Sequence, residues 1–196
     1  MGKKDKDMIH VLGIATEQHA GASARAKVMA GSERLNSKSG PAEIAAWMKG
    51  AMDRLDAAVP ADRRSAVRAS CGAACAESNR KMIDRARAKF IKASSLEEYV
   101  AREKKKPLAG TAIDLQGEVL IWRFLPQSFS PPRRCFCGLM KGLPPDAAVS
   151  PTYCLCSVGF VETYWAGVLD KPVRVELLES CLSGGSECRF AVRVRG

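Results

Sequence analysis

The side chains best equipped for chemistry in this chain are its eight cysteines. Four of them stand in two C-x-C pairs, R-R-C-F-C-G at 133–138 and T-Y-C-L-C-S-V-G-F at 152–160. Thiolates at Cys135, Cys137, Cys154 and Cys156 would complete a tetrahedral sulfur site for zinc, or hold an iron–sulfur cluster. The separation of the two pairs is comparable to that in known zinc sites, but C-x-C is less diagnostic than C-x-x-C. Local geometry therefore decides. On an extended segment residues i and i+2 face the same way, so Cys135 and Cys137 could converge. On a helix they lie roughly 200° apart, so Cys154 and Cys156 serve one ion together only if their helix begins at about 156 or later.

Cys71 and Cys75 are spaced i, i+4 and share a helix face. That face is apolar, so core packing competes with site membership for both thiols. Gly72 between them costs helix stability relative to alanine and points to close approach by another backbone or a ligand. Cysteine–histidine catalysis has little material, since the only histidines are His10 and His19. No phosphate-cradling glycine loop or serine-centred elbow is present. Thiol redox chemistry stays open, because a helix N-terminus lowers thiol pKa; a disulfide within C-x-C would be strained, which favours pairing between segments.

The elements that must position these thiols change character near Lys106-Pro107. Before it the chain reads as helical. Residues 41–59 carry a stripe of Ile44, Trp47, Met48, Ala51, Leu55 and Val59 behind a Pro41 suited to a first turn. One helical stretch is expected from about Ala61 to Ile91, along Val67, Cys71, Cys75, Met82, Ala86 and Phe90. A short helix over 96–104 is capped by Ser94 or Ser95. Residues 5–30 are alanine-rich with only a weak stripe. After Pro107, residues 111–124 alternate as two strands about a Gln-Gly turn, with Leu120, Trp122 and Phe124 on one face. Residues 125–150 hold five prolines (126, 131, 132, 144, 145) and no periodicity, a stretch long enough to be functional or stapled. A helix follows from Ser150-Pro151 to about Leu169. Strands at 173–179 and 187–194 form a hairpin through Gly184-Gly185. The expected fold is α+β: a helical region, 1–106, then a ligand-binding region, 107–196, of antiparallel sheet packed with one long helix. Trp122, Phe124, Phe160, Tyr164 and Trp165 read either as sheet–helix core or as the lining of an apolar ligand pocket.

Composition narrows the class. With 46% hydrophobic and 27% charged residues the chain is globular. The net charge of +10 invites an anionic partner, but the basic residues are spread through 54–106 and 189–195 among acids, which argues against nucleic acid. The N-terminal segment is too short in apolar residues for a signal peptide or a membrane span, so a cytoplasmic location is expected. There, eight cysteines favour metal binding or thiolate chemistry over a disulfide framework.

From Tyr153 the order of features, Cys154, Gly159-Phe160, Gly167, Glu179-Ser180-Cys181, Gly184-Gly185 and Cys188-Arg189-Phe190, resembles the 4-vinyl reductase-type small-molecule-binding domain. That domain is the aromatic-sensing module of certain bacterial transcription activators and is related to vesicle-tethering and haem nitric-oxide-binding folds. The doubled C-x-C pairs and the helical N-terminal region look like a cysteine-rich bacterial branch of that fold. In the sensor members zinc is held by three cysteines and a glutamate; by position these would be Cys154, Cys181, Cys188 and Glu176 or Glu179. The acid here does not fall at the family's usual offset before Cys181. The resemblance implies a small apolar or aromatic ligand, and a homodimer through the helices, and names no reaction. The combined expectation is a binding protein, sensory or regulatory, with a cysteine-ligated structural zinc. The alternative is an iron–sulfur or thiol redox protein, or an enzyme. Cys154 belongs to both ligand sets.

Overall fold

The computed structural model describes residues 3–130 and 132–194, with side chains from Asp7 onward. Pro131 of the proline-rich stretch and Arg195 of the basic tail lie outside them. Helix α1 (Lys3–Val28) buries Ile9, Leu12 and Ala15, then Ala24 and Val28. A kink at Gly21, φ 86°, re-phases the buried face between these two groups, which is why no single helical stripe is visible in the sequence. Helix α2 (Pro41–Ala58) starts at Pro41 as expected and buries Ile44, Ala45, Met48, Ala51, Met52 and Leu55.

The single stretch expected over 61–91 is two helices, α3 (Ala61–Glu77) and α4 (Arg80–Phe90). Polar side chains at the joint compete for the backbone: Ser78 Oγ donates to the Ala74 carbonyl and Asn79 Nδ2 to the Cys75 carbonyl at 2.6 Å. Helix α5 (Leu96–Lys105) is capped at both ends of its first turn. Ser95 Oγ accepts from Glu98 N, and the Glu98 carboxylate accepts from Ser94 N.

Strands β1 (Thr111–Gln116), β2 (Val119–Phe124), β3 (Val173–Glu179) and β4 (Cys188–Val194) form one antiparallel sheet in the order β1-β2-β4-β3. Leu120, Trp122 and Phe124 pair with Val192, Phe190 and Cys188, so the two inner strands present one aromatic face. Helix α6 (Leu155–Leu169) covers it through Val161, Tyr164, Trp165 and Val168. The fold is therefore α+β, with the helices first and one long helix on an antiparallel sheet.

Two buried clusters result. One joins α1, α2 and the first turns of α3 to residues 139–154 and Leu182; the other joins the sheet to α4, α5 and most of α6. Each mixes residues from before and after Pro107. Helices α3 and α6 run through both, with Val67 and Cys71 in the first and Ala76 in the second. Among the described residues no helix is long and apolar enough to cross a membrane.

Candidate thiol site

Helices α3 and α6 meet backbone to backbone. A Cβ on Gly72 would fall 1.8 Å from the Cys156 carbonyl oxygen and 2.6 Å from Phe160 N. The reciprocal glycine, Gly159, would place its Cβ 2.1 Å from the Ala69 carbonyl oxygen. The close approach inferred from Gly72 is thus made by another backbone, that of the first turn of α6. It brings Arg68 and Cys71, one turn apart on α3, against the second C-x-C pair.

The entry to α6 is fixed before Cys154 is reached. Ser150 Oγ accepts from Thr152 N at 3.1 Å, Pro151 opens a 3-10 turn through Cys154, and α6 proper starts at Leu155. Thr152 Oγ1 donates to Asp56 Oδ1 at 2.6 Å, and Arg64 pairs with the same oxygen at 2.7 Å. Burial would raise the Asp56 pKa, but hydrogen bonds from Ser150, Thr152 and Arg64 hold it below the usual carboxylate range. The first C-x-C pair arrives on the proline-rich stretch. Its Arg134 ties the stretch to itself by donating to the carbonyls of Pro144 and Ala147, while Leu139, Met140, Leu143 and Val149 are buried beneath it. Cys137 N donates to Cys135 Sγ at 3.4 Å.

The inner thiols surround a cation. Arg68 is 4% exposed. Its Nη2 donates to the Tyr153 carbonyl at 3.0 Å and its guanidinium lies 4.9 Å over the Tyr153 ring, while Nε has no partner. Burial alone would lower its pKa, yet Cys156, Cys71, Tyr153 and Cys137, as anions, outweigh that and raise it. Burial pushes the Cys71 thiol up, against the opposing pull of the nearby Arg68 guanidinium. Burial also raises Cys135, well above the ordinary thiol value, with Cys137, Cys154 and Cys156 as charged neighbours; it raises Cys137 beside Cys156 too.

A second group lies toward the β3–β4 link. Cys154 Sγ is 2.8 Å from Ser180 Oγ, and burial pushes its thiol up to about 11 despite that bond. Cys181 and Cys188 are neighbours, and burial together with Cys188 pushes Cys181 up to about 12. Cys154 stands electrostatically between the groups, with Cys156 on one side and Cys188 on the other. Glu179 is engaged elsewhere. Its Oε1 accepts from Ser186 N and Glu187 N, and its other oxygen pairs with Arg189; the Ser186 amide chiefly holds its pKa low. Glu176 pairs with Arg193 on the exposed side. Cys75 faces the α3–α4 joint, where Asn79 Nδ2 lies 3.9 Å from its sulfur, so the i, i+4 pair on α3 is divided between two surroundings. Among the described residues no three His, Cys, Asp or Glu side chains form a group positioned to hold a metal ion.

The five aromatic residues pack on one another. Trp122 stacks on Tyr164 at 4.5 Å, with Trp165 and Phe124 edge-on to Trp122 and Phe160 stacked on Tyr164. A cavity of about 20 Å³ adjoins Trp122, Tyr164 and Trp165. A much larger open groove, about 550 Å³, runs between α3 and α6 past Ser70, Ala73, Gly159 and Thr163. The sequence reading passes over Arg68 and gives Tyr153 and Ser180 no role of their own beyond their place in the quoted motifs. Arg68 carries a usable signal, being a charged residue three positions before Cys71 on the face that Gly72 marks as close-packed.

Among curated proteins none matches the sequence. Among solved structures the chain is similar to an H-NOX domain from Shewanella oneidensis, a mutant studied by NMR in its Fe(II)CO ligation state. The identity is 13%, with a TM-score of 0.51 over 96% of this chain and 97% of that one. That likeness extends over helices and sheet together and shows the fold. Residues 4–195, nearly the whole length, match the family described as "Family of unknown function (DUF6144)", and the chain belongs to that family.

Proposed function

We propose that this chain is a small-molecule-responsive regulatory module built around a buried cysteine centre, in which Cys135, Cys137, Cys154 and Cys156 hold a zinc ion. The observation that carries the reading is that two C-x-C segments distant in sequence pack into one cluster with the buried Arg68 beside them, which among the described residues has no carboxylate partner. The donor set suits zinc, and a four-thiolate zinc unit is a net anion, which a buried cation favours. Among the described residues no three of these sulfurs are grouped to hold an ion, and α6 opens before residue 156, so binding would require the entry to α6 and the proline-rich stretch to rearrange around the ion. The ion would pin the proline-rich stretch to the start of α6 and offset the entropy of ordering it. The likeness to a domain solved with iron and CO supports the small-molecule part of the reading, with the ligand an apolar or aromatic molecule.

Elemental analysis of freshly purified protein tests it. About one zinc per chain in colourless protein, reduced in Cys154→Ser, is the expected result. Brown protein with iron and acid-labile sulfide overturns zinc in favour of a cluster. The contact between Cys181 and Cys188 favours a second reading, thiol redox. In that case metal-free protein treated with oxidised glutathione yields a Cys181–Cys188 disulfide by peptide mapping, reversed by dithiothreitol, and Cys188→Ser yields none.

A further inference from the structure

We infer that the small cavity beneath the α5–β1 connection binds the hydroxyl end of an aliphatic alcohol. This rests on the small-molecule part of the proposed function, narrows its ligand, and does not involve the zinc. The cavity, about 20 Å³, is lined by Trp122, Tyr164 and Trp165, by Tyr99 and Glu103 one turn apart on α5, and by Leu108 of the connection. Its four aromatic residues are no more than 6% exposed, whereas Leu108 is 46% exposed and marks the mouth. One water-sized group takes about 10–15 Å³ of such space, so the cavity admits about one or two heavy atoms and no ring.

The polar groups set the chemistry of those atoms. The Trp165 indole Nε1 is buried and has no hydrogen-bond acceptor, a state that folded proteins rarely leave without a purpose. Glu103 supplies the opposite need. Its Oε1 accepts from Lys89 Nζ at 2.8 Å, which leaves Oε2 to accept from a ligand. Thr111 does not compete, because its Oγ1 donates to the Leu108 carbonyl at 2.8 Å. The occupant must therefore accept from an indole N–H and donate to a carboxylate, and a hydroxyl does both. An ammonium group only donates, and its charge would face the indole N–H. Trp122 and Tyr164 also spend a ring face on each other, stacked at 4.5 Å, which removes part of any aromatic cage for a cation. An ether only accepts. A terminal hydroxymethyl group has the right size and both functions, and its chain leaves over Pro107 and Leu108, which form an apolar exit.

The test uses the full chain and follows the indole N–H resonances of its three tryptophans by heteronuclear NMR. The probes are n-butanol, its isomer methyl propyl ether, n-butylammonium chloride and phenol. Butanol should shift the Trp165 resonance saturably and leave that of Trp47, whose Nε1 is bonded to the Ala30 carbonyl, in place. The ether and the ammonium should each bind about fivefold more weakly, for one hydrogen bond lost. In Glu103→Met, at a half-buried position where the fold tolerates change, butanol should fall to the level of the ether. Absence of a saturable Trp165 shift with butanol, or equal binding of alcohol and ether to wild type, overturns the assignment. Phenol binding more tightly than butanol at Trp165 overturns the aliphatic class, and phenol binding that leaves Trp165 unmoved overturns this site; in both cases the small-molecule reading stands. Zinc content of the same sample is judged separately, so the metal reading falls or survives on its own.

Discussion

Replacing Gly72 by alanine should damage the protein at one identifiable point. The new Cβ would stand 1.8 Å from the Cys156 carbonyl oxygen, with Phe160 N at 2.6 Å, and both atoms belong to the backbone of α6. Ordinary contact begins near 3.4 Å, so the helices must separate by about 1.6 Å at their crossing or α6 must bend. Overpacking of this kind costs about 3 kcal/mol when no flexible side chain can yield. Alanine returns about 1 kcal/mol through its helix propensity, leaving a net loss of about 2 kcal/mol. In a chain of this size that is a melting temperature lower by about 4–8 °C. The comparison is Gly50→Ala in α2, where the nearest atom is the mobile tip of Arg54 at 3.0 Å. That substitution should gain most of the same 1 kcal/mol and raise the melting temperature by about 2–4 °C. Differential scanning calorimetry of the two variants beside wild type decides the matter. A Gly72→Ala protein as stable as wild type would refute the backbone contact, and with it the placement of Arg68 and Cys71 beside Cys156.

Asp56→Ala removes the acceptor that joins α2 to the entry of α6, and should cost about 2 kcal/mol at neutral pH. Because the folded-state pKa of Asp56 is depressed, its contribution is complete above the unfolded value of about 3.9 and is lost as pH falls through the folded one. The stability gap between wild type and Asp56→Ala, measured by urea unfolding, should therefore close below about pH 4 and not on the alkaline side. Ser180→Ala frees the Cys154 thiol from a hydrogen bond worth about 1 kcal/mol, so zinc affinity by chelator competition should rise about fivefold if Cys154 must turn inward to bind. Unchanged affinity would place the ion elsewhere.

What the sequence discloses follows from the range of the forces involved. Helix α2 is legible because Pro41, its apolar spacing and its end at Ala58 are local features. The hairpins are legible because alternation and Gln-Gly or Gly-Gly turns are local too. The break between α3 and α4 is not, since Ser78 and Asn79 end a helix by bonding their own backbone within a stretch whose hydrophobic period continues past them. The weak stripe of α1 hides two good faces set out of phase at Gly21. At the site, the cysteines are visible as types, but their partners come from 85 positions away in the case of Arg68 and Tyr153, and no periodicity encodes that.

The second C-x-C shows how one local detail controls the chemistry. Had α6 begun at residue 156, Cys154 and Cys156 would have shared a direction. Instead, Ser150 and Pro151 start a turn early, and Asp56 holds Thr152 in it. The two sulfurs consequently serve different neighbours, Cys154 facing Ser180 and Cys156 standing within the field of Arg68 and Cys71. Cys154 therefore links the start of α6 to the β3–β4 connection through Ser180, the residue that follows β3.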